Sequence, residues 1–256
     1  MGRFLALCYG IVCYTLAMGA LSYLFGFLGS VLVPKSIDSG LPAALGEALV
    51  IDVTLLTAFG VLHSVMARPR FKMWWTRIVP QSVERSTFVL VASVSLILLY
   101  WQWRPLDQIV WSANVHWAVI LWWAIYASGI AIMFAATFVI GHFDLFGLRQ
   151  VWLNLSRKSH TEPGFRVAFF YGRIRHPIYL GFLVTFWATP HMTLGHLLFA
   201  IVWSAYIVIA VRYEERDLVS LYGSDYVRYR RSVPMLFPRI NRTTRTSREI
   251  SRSRRG

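Results

Sequence analysis

Cysteine is almost absent from this chain of 256 residues, which contains only two. Cys8 and Cys13 both fall in the first apolar run, and their separation of five residues does not place them on one face of a helix. A disulfide framework and a cysteine-based zinc site are therefore excluded, and we expect no metal site.

Acidic residues are also scarce: there are 12, against 26 lysines and arginines, which gives the chain a net charge of +14. In a soluble protein such a surplus would suggest nucleic-acid binding. Hydrophobic residues, however, make up 56% of the chain, and several runs approach the ~20 apolar residues needed to cross a bilayer. Because most basic residues lie in a few loops and the C-terminal tail, we expect membrane lipids with anionic headgroups as their partners, and no nucleic acid.

A glycine-rich phosphate loop after a strand is missing as well, so a soluble-type nucleotide-binding domain is not expected. The first apolar run is too long for a signal-peptide core and has no clear cleavage site, so we expect it to be retained. The composition predicts a single integral membrane domain over residues 1–241, followed by a basic, disordered cytoplasmic tail over residues 242–256.

Six apolar segments predict an all-α fold, a polytopic bundle of transmembrane helices. They cover about residues 4–33, 43–66, 83–103, 115–140, 177–189 and 193–211. The fifth segment is too short to span a bilayer alone unless it begins before residue 177. We therefore expect five to six membrane segments, the last two forming a helical hairpin with a tight turn at residues 190–192, and an interfacial C-terminal helix after them.

Arginines and lysines cluster after the second, fourth and sixth segments, whereas the alternate connections are poor in them. By the positive-inside rule, this alternation places both termini in the cytoplasm. The candidate residues described next then lie on the cytoplasmic side. A short helix on the inner surface is also predicted around Phe71, Trp74 and Trp75, which alternate with basic residues.

The segment from Tyr171 to Gly181 lies where a basic connection becomes an apolar helix. Pro177 suits the first turn of a helix, with His176 near the N-cap. The free N–H groups after Pro177, together with Arg175, would form an anion site. The alternative is an ordinary helix start at the membrane interface.

Two further groups of polar residues lie at the cytoplasmic ends of apolar segments. Glu214 and Glu215 point about 100° apart on a helix, so one can face the bundle while the other pairs with an arginine. His142, Asp144 and Arg149 resemble a small binding site at the end of the fourth segment. A charged interfacial helix end is the alternative interpretation of the glutamates.

These motifs occur in a fixed order: Arg175-His176-Pro177-x-Tyr179-x-Gly181, Glu214-Glu215-x-x-Leu218, Tyr222-Gly223-x-x-Tyr226-x-x-Tyr229 and Val233-Pro234. The ordered set resembles the isoprenylcysteine carboxyl methyltransferase superfamily over residues 171–238. Residues 141–150 and the upstream segments look like its bacterial methanethiol S-methyltransferase branch, so the resemblance covers most of the chain.

The resemblance implies an enzyme of the bacterial inner membrane that uses S-adenosylmethionine to methylate a small-molecule thiol substrate, methanethiol, giving dimethyl sulfide. The predicted cofactor-binding residues are Tyr171, Arg175, His176, Pro177, Tyr179, Leu180, Gly181, Tyr213, Glu214, Glu215, Tyr226 and Tyr229. Their chemistry suits the donor: Arg175 and helix N–H groups for its carboxylate, a glutamate for its ammonium or ribose, and tyrosine faces for its sulfonium.

The predicted catalytic residues are His142, Asp144 and Arg149. An alkyl thiol is a weak acid and reacts much faster as the thiolate, so a base or a nearby cation is needed. We expect His142, oriented by Asp144, to accept the proton, or Arg149 to stabilise the thiolate.

Other functions remain compatible with the sequence. The same enzyme class could act on a prenylcysteine carboxylate or a lipid. The histidines at positions 63, 142, 160 and 176 all map to the cytoplasmic half and could instead mark a haem-linked or non-enzymatic membrane protein. A lipid-binding scaffold that acts through its basic tail is the third alternative.

Overall fold

The computed structural model describes residues 2–159, 164 and 167–238. The predicted basic tail at residues 242–256 and His160 lie outside these described residues. The described residues form ten α-helices, one 3₁₀ turn at Phe169–Gly172 and two short strands. The helices are α1 (Arg3–Gly29), α2 (Leu45–Ala67), α3 (Pro69–Trp75), α4 (Gln81–Gln102), α5 (His116–Ile140), α6 (His142–Leu145), α7 (Leu148–Leu155), α8 (Pro177–Trp187), α9 (Leu194–Tyr222) and α10 (Ser224–Ser232), and the strands are β1 (Ile109–Ser112) and β2 (His191–Thr193).

Five of the described helices are long and apolar enough to cross a membrane: α1, α2, α4, α5 and α9. The predicted all-α, polytopic membrane fold is therefore confirmed. Helix α8 is apolar too, but with 11 residues it rises only about 16 Å, roughly half of a bilayer core. The C-terminal α10 follows α9 after Gly223 and has a polar surface, as expected for an interfacial helix.

The connection between α8 and α9 differs from the prediction of a simple tight turn at residues 190–192. Residues His191–Thr193 form β2, which pairs antiparallel with β1 from the α4–α5 connection. Extended backbone needs hydrogen-bond partners, and the second strand supplies them. The α8–α9 connection therefore lies on the same side of the bundle as the α4–α5 connection.

Helices α5 and α8 pack closely through two glycines. A Cβ added to Gly181 would lie 2.6 Å from the carbonyl oxygen of Gly129 and 2.7 Å from the backbone nitrogen of Met133. A Cβ on Gly129 would meet the carbonyl oxygen of Gly181 and the side chain of Thr185. Small residues let two membrane helices approach backbone to backbone. This contact fixes the start of α8 beside the end of α5.

Aromatic and aliphatic side chains from the spanning helices fill the centre of the bundle. Its fully buried members include Phe27 on α1, Met133 on α5 and Phe199 on α9. Trp103, just after α4, is also fully buried, and its indole N–H donates to the carbonyl oxygen of Ile37. The centre of the bundle is therefore apolar, and the polar groups of the candidate site lie at one end of it.

Candidate active site

The start of α8 is built as the sequence predicted: His176 is the N-cap residue and Pro177 the first residue of the helix. Within the described part of the chain, no side chain caps this helix. Backbone hydrogen bonds hold the preceding residues against the C-terminal segment, since Arg175 N–H donates to Pro234 at 2.9 Å and His176 N–H donates to Met235 at 3.1 Å. The segment after α10 therefore lies along the approach to α8.

Glu215, near the end of α9, is paired with two residues at the start of α8. Its Oε1 accepts a hydrogen bond from Arg175 Nε at 2.7 Å and lies 3.1 Å from His176 Nε2. The Arg175 and Glu215 side chains are only 10% and 11% exposed. An ion pair this well buried joins the two helix ends firmly.

Arg175 also donates through Nη1 to the carbonyl oxygens of Arg230, at 2.8 Å, and Val233. A guanidinium carries five N–H protons, of which Nε and Nη1 hold three. Among the described residues, no acceptor faces the two protons on Nη2. The hydrogen bonds of Arg175 thus account for three of its five N–H protons.

Glu214 has a different environment from its neighbour. Its Oε2 accepts a hydrogen bond from the Tyr179 hydroxyl at 2.8 Å, and its side chain is 41% exposed. Adjacent residues on a helix point in different directions, and here one glutamate pairs with an arginine, as expected, while the other keeps acceptor capacity.

Four further tyrosines surround these groups. The Tyr229 hydroxyl donates to the carbonyl oxygen of Tyr171 at 2.6 Å, and the rings of Tyr226 and Tyr229 are 5.7 Å apart. Burial raises the pKa of Tyr229 to about 12 and also raises that of Tyr226, so both remain neutral phenols. Tyr213 is half-exposed, and the guanidinium groups of Arg68 and Arg216 lie 5.5 and 5.6 Å from its ring centre.

Two residues of the predicted cofactor set lie further along α8. Gly181 contacts α5, as described above, so helix packing accounts for the glycine at this position. Leu180 is partly buried beside it. The structure therefore brings the charged and aromatic members of the set to the two helix ends and places Gly181 at the α5–α8 contact.

His142 is buried after the end of α5, and both of its ring nitrogens have partners. Nδ1 lies 2.9 Å from the Thr137 hydroxyl, and Nε2 lies 3.0 Å from the Tyr14 hydroxyl. Burial lowers the pKa of His142 below its usual value of 6.5. The imidazole is therefore neutral at neutral pH.

The expectation that Asp144 orients His142 is wrong. Asp144 Oδ2 accepts from Arg149 Nη1 at 2.6 Å, and its Oδ1 accepts from Gln150 Nε2 at 2.9 Å. Gly147, with φ of 87°, turns the chain between α6 and α7 and folds these two residues back over the carboxylate.

Three histidines of the predicted cytoplasmic group, at positions 63, 142 and 176, lie among the described residues and have different partners. His63 lies between the rings of Phe59 and Phe88, with ring centres 5.5 and 4.9 Å away, whereas His142 and His176 have the separate partners given above. Within the described ranges, no group of three or more His, Cys, Asp or Glu side chains is placed to hold a metal ion.

Two polar residues of this region were missed by the sequence analysis. Tyr14 comes from α1 and Thr137 from α5, and both contact His142. The sequence did contain a signal for both residues, because polar side chains inside apolar membrane helices are energetically costly and mark candidate sites. Neither residue forms a motif with its sequence neighbours, however, so only the folded bundle pairs them with His142.

The chain is similar along almost its whole length to enzymes named methanethiol S-methyltransferase. The protein of that name from Mycobacterium tuberculosis is 49% identical over 244 residues, which cover 95% of this chain and all of the relative. The chain belongs to the methanethiol S-methyltransferase family. A second family member, from Crocosphaera subtropica, is 45% identical over 242 residues, or 94% of this chain and 95% of the relative.

Weaker similarity extends beyond the family. Mouse Nurim is 27% identical over 177 residues, covering 65% of this chain and 66% of Nurim. No family model and no solved structure matches the chain. Family membership and the five apolar helices together make the protein an integral membrane methyltransferase, an enzyme that requires a methyl donor.

Proposed function

We propose that this protein transfers the methyl group of S-adenosylmethionine to the sulfur of methanethiol and releases dimethyl sulfide and S-adenosylhomocysteine. The observation that supports the donor most strongly is the junction of the start of α8 with the end of α9. There the Arg175–Glu215 ion pair fixes both helix ends, Arg175 keeps its Nη2 protons, and the neighbouring Glu214 side chain is 41% exposed.

The donor is a zwitterion with an added sulfonium charge, and the junction offers a group for each part. Arg175 Nη2 and the uncapped N–H groups at the start of α8 take the carboxylate. Glu214 takes the ammonium group or the ribose hydroxyls, because Glu215 is already paired. Tyr171 and Tyr179 offer faces for the sulfonium, since the ring of Tyr213 already contacts two guanidinium groups.

His142 acts as the base for the thiol in this mechanism. Arg149 is the weaker candidate because its charge is paired with Asp144 at 2.6 Å. Asp144 then serves to hold Arg149 and the α6–α7 turn, while Thr137 and Tyr14 orient the imidazole. Once formed, the thiolate attacks the sulfonium methyl group.

The reaction takes place at the cytoplasmic edge of the bacterial inner membrane, with both chain termini in the cytoplasm. The clustering of arginines and lysines in alternate connections supports this orientation. Anionic headgroups neutralise these connections, and methanethiol, which is small and apolar, enters through the lipid.

The test is turnover of S-adenosylmethionine, labelled in its methyl group, by the full chain in liposomes. With methanethiol, we expect the label in dimethyl sulfide and an equal amount of S-adenosylhomocysteine. A panel containing a prenylcysteine analogue separates the substrate classes. Labelling of the prenylcysteine carboxylate without labelling of methanethiol would overturn the proposed substrate, and a Soret band in the purified protein would favour a haem-linked role instead.

A further inference from the structure

The hydrogen bonds around His142 fix which of its nitrogens carries the proton. The Thr137 hydroxyl oxygen lies 2.7 Å from the carbonyl oxygen of Phe134, and two oxygens at this distance need a proton between them. Thr137 therefore donates to Phe134 and can only accept from His142. The assignment follows from the network: Nδ1 carries the proton and donates at 2.9 Å.

The other nitrogen, Nε2, then holds the lone pair of the neutral imidazole. Its neighbour at 3.0 Å is the Tyr14 hydroxyl, which must donate its proton to that lone pair. The phenyl rings of Phe138, Phe143 and Phe146 lie 4.4, 5.4 and 4.8 Å from the imidazole centre. The basic nitrogen is therefore enclosed by aromatic rings and already occupied by a tyrosine.

Helix register places this group at the depth of the proposed donor site. Gly181 of α8 lies against Met133 of α5, and the two helices run antiparallel, since Gly129 lies against Thr185. Thr137 lies four residues after Met133 on α5, and Pro177 lies four residues before Gly181 on α8. Because the two helices are antiparallel, both residues are displaced from the contact by about 6 Å in the same direction. Thr137, which contacts His142, therefore lies at the same depth as the start of α8.

We infer that Tyr14 is a further catalytic residue, which receives the thiol proton and passes its own proton to His142. This inference rests on the proposed function. Tyr14 is only partly buried, whereas His142 is buried, so Tyr14 is the member of the pair that a small thiol can reach. Thr137 is a positioning residue, because it keeps the imidazole lone pair directed at Tyr14.

The step balances without any added reagent. The thiol S–H proton moves to the Tyr14 oxygen as the Tyr14 proton moves to His142 Nε2, which leaves a thiolate and an imidazolium. The thiolate sulfur forms a bond to the methyl carbon, and the bond between that carbon and the donor sulfur breaks with its electron pair remaining on the donor. His142 then releases its proton to water through the same hydroxyl.

The experiment compares wild type with Tyr14→Phe on two thiols that differ in acidity. With methanethiol, we expect kcat/KM to fall at least about 100-fold, the lower range for general acid–base catalysis, while S-adenosylhomocysteine binding is retained. With trifluoroethanethiol, assayed above its own pKa, the loss should disappear because the thiol is already ionised. Tyr9→Phe is the matched control: it removes another hydroxyl of α1, which contacts Thr87, and should leave both rates unchanged.

Substitutions of Thr137 provide a second, independent test of the relay. Thr137→Val removes the acceptor of the Nδ1 proton and should lower the methanethiol rate, and Thr137→Ser should restore it. A Tyr14→Phe enzyme with normal methanethiol turnover, or with equal losses on both thiols, would overturn the relay alone. A wild-type enzyme inactive on every thiol would overturn the proposed function, which makes the two failures distinguishable.

Discussion

Arg175 and Glu215 are 40 residues apart in the chain, yet Nε of the first donates to Oε1 of the second at 2.7 Å. His176 Nε2 lies 3.1 Å from the same oxygen. One carboxylate therefore ties the start of α8 to the end of α9. The same contact fixes the position of Glu214, which we propose as a donor-binding residue beside Arg175.

Glu215→Gln should destabilise the protein strongly, because it leaves the buried Arg175 without its counter-charge. Breaking a buried pair by changing one partner costs about 3–5 kcal/mol. We expect a marked fall in the melting temperature of the detergent-solubilised protein. Asp217→Asn is the control. The side chains of Asp217 and its partner Arg68 are 41% and 29% exposed, so their ion pair should contribute only about 0–1 kcal/mol. Equal effects of the two substitutions would contradict a buried, structural role for the Arg175–Glu215 pair.

Gly181→Ala should disrupt the contact between α5 and α8. The added Cβ would lie 2.6–2.8 Å from atoms of Gly129 and Met133, two of which belong to the backbone and cannot move aside. Overpacking of this kind costs about 1–3 kcal/mol. Thermal unfolding checks the prediction, with Gly19→Ala as the control, since no atom of the described residues lies within 4 Å of that Cβ. An unchanged melting temperature for Gly181→Ala would show that the two helices are not in close contact.

The rate of methyl transfer should depend on pH through His142. Burial lowers the pKa of this histidine below 6.5, so the imidazole is neutral at neutral pH and gains a proton only in more acidic solution. Because the protonated form cannot accept a proton, kcat/KM should be flat through the neutral range and fall as pH drops below 6.5. The unfolded chain binds that proton more readily, so stability falls in the same direction.

A pH profile of kcat/KM, with unfolding measured at each pH, checks this expectation. The stability measurement separates loss of the base from loss of the folded protein. A decline of activity that begins above the ordinary histidine pKa would mean that His142 is not the base.

The sequence predicted the contact between the start of α8 and the end of α9 because the motifs of both lie at helix ends. Pro177 sets the start of α8, and apolar length sets the extent of α9, so a hairpin brings Arg175 near Glu214 and Glu215. The division of roles between the two glutamates also followed from helix geometry. What the sequence could not supply was the identity of the paired glutamate, which depends on the rotation of α9.

The region around His142 was predicted less well, because its contacts are not local. Asp144 is close in sequence, but the turn at Gly147 directs its carboxylate to Arg149. Tyr14 lies 128 residues away from His142, in an apolar helix without a motif. The β1–β2 pairing was missed for the same reason, since neither strand has a repeating pattern long enough to predict it.

The most direct test of the donor site is calorimetric titration of S-adenosylhomocysteine into the purified protein and its Glu214→Gln variant. The wild type should bind one equivalent, and the variant should bind at least about tenfold more weakly, because a charged hydrogen bond contributes roughly 1.5–3 kcal/mol. Asp217→Asn, which removes the same charge one turn further along α9, should bind as the wild type does. No binding to the folded wild type, or equal affinity in the Glu214→Gln variant, would contradict a donor site at the junction of α8 and α9.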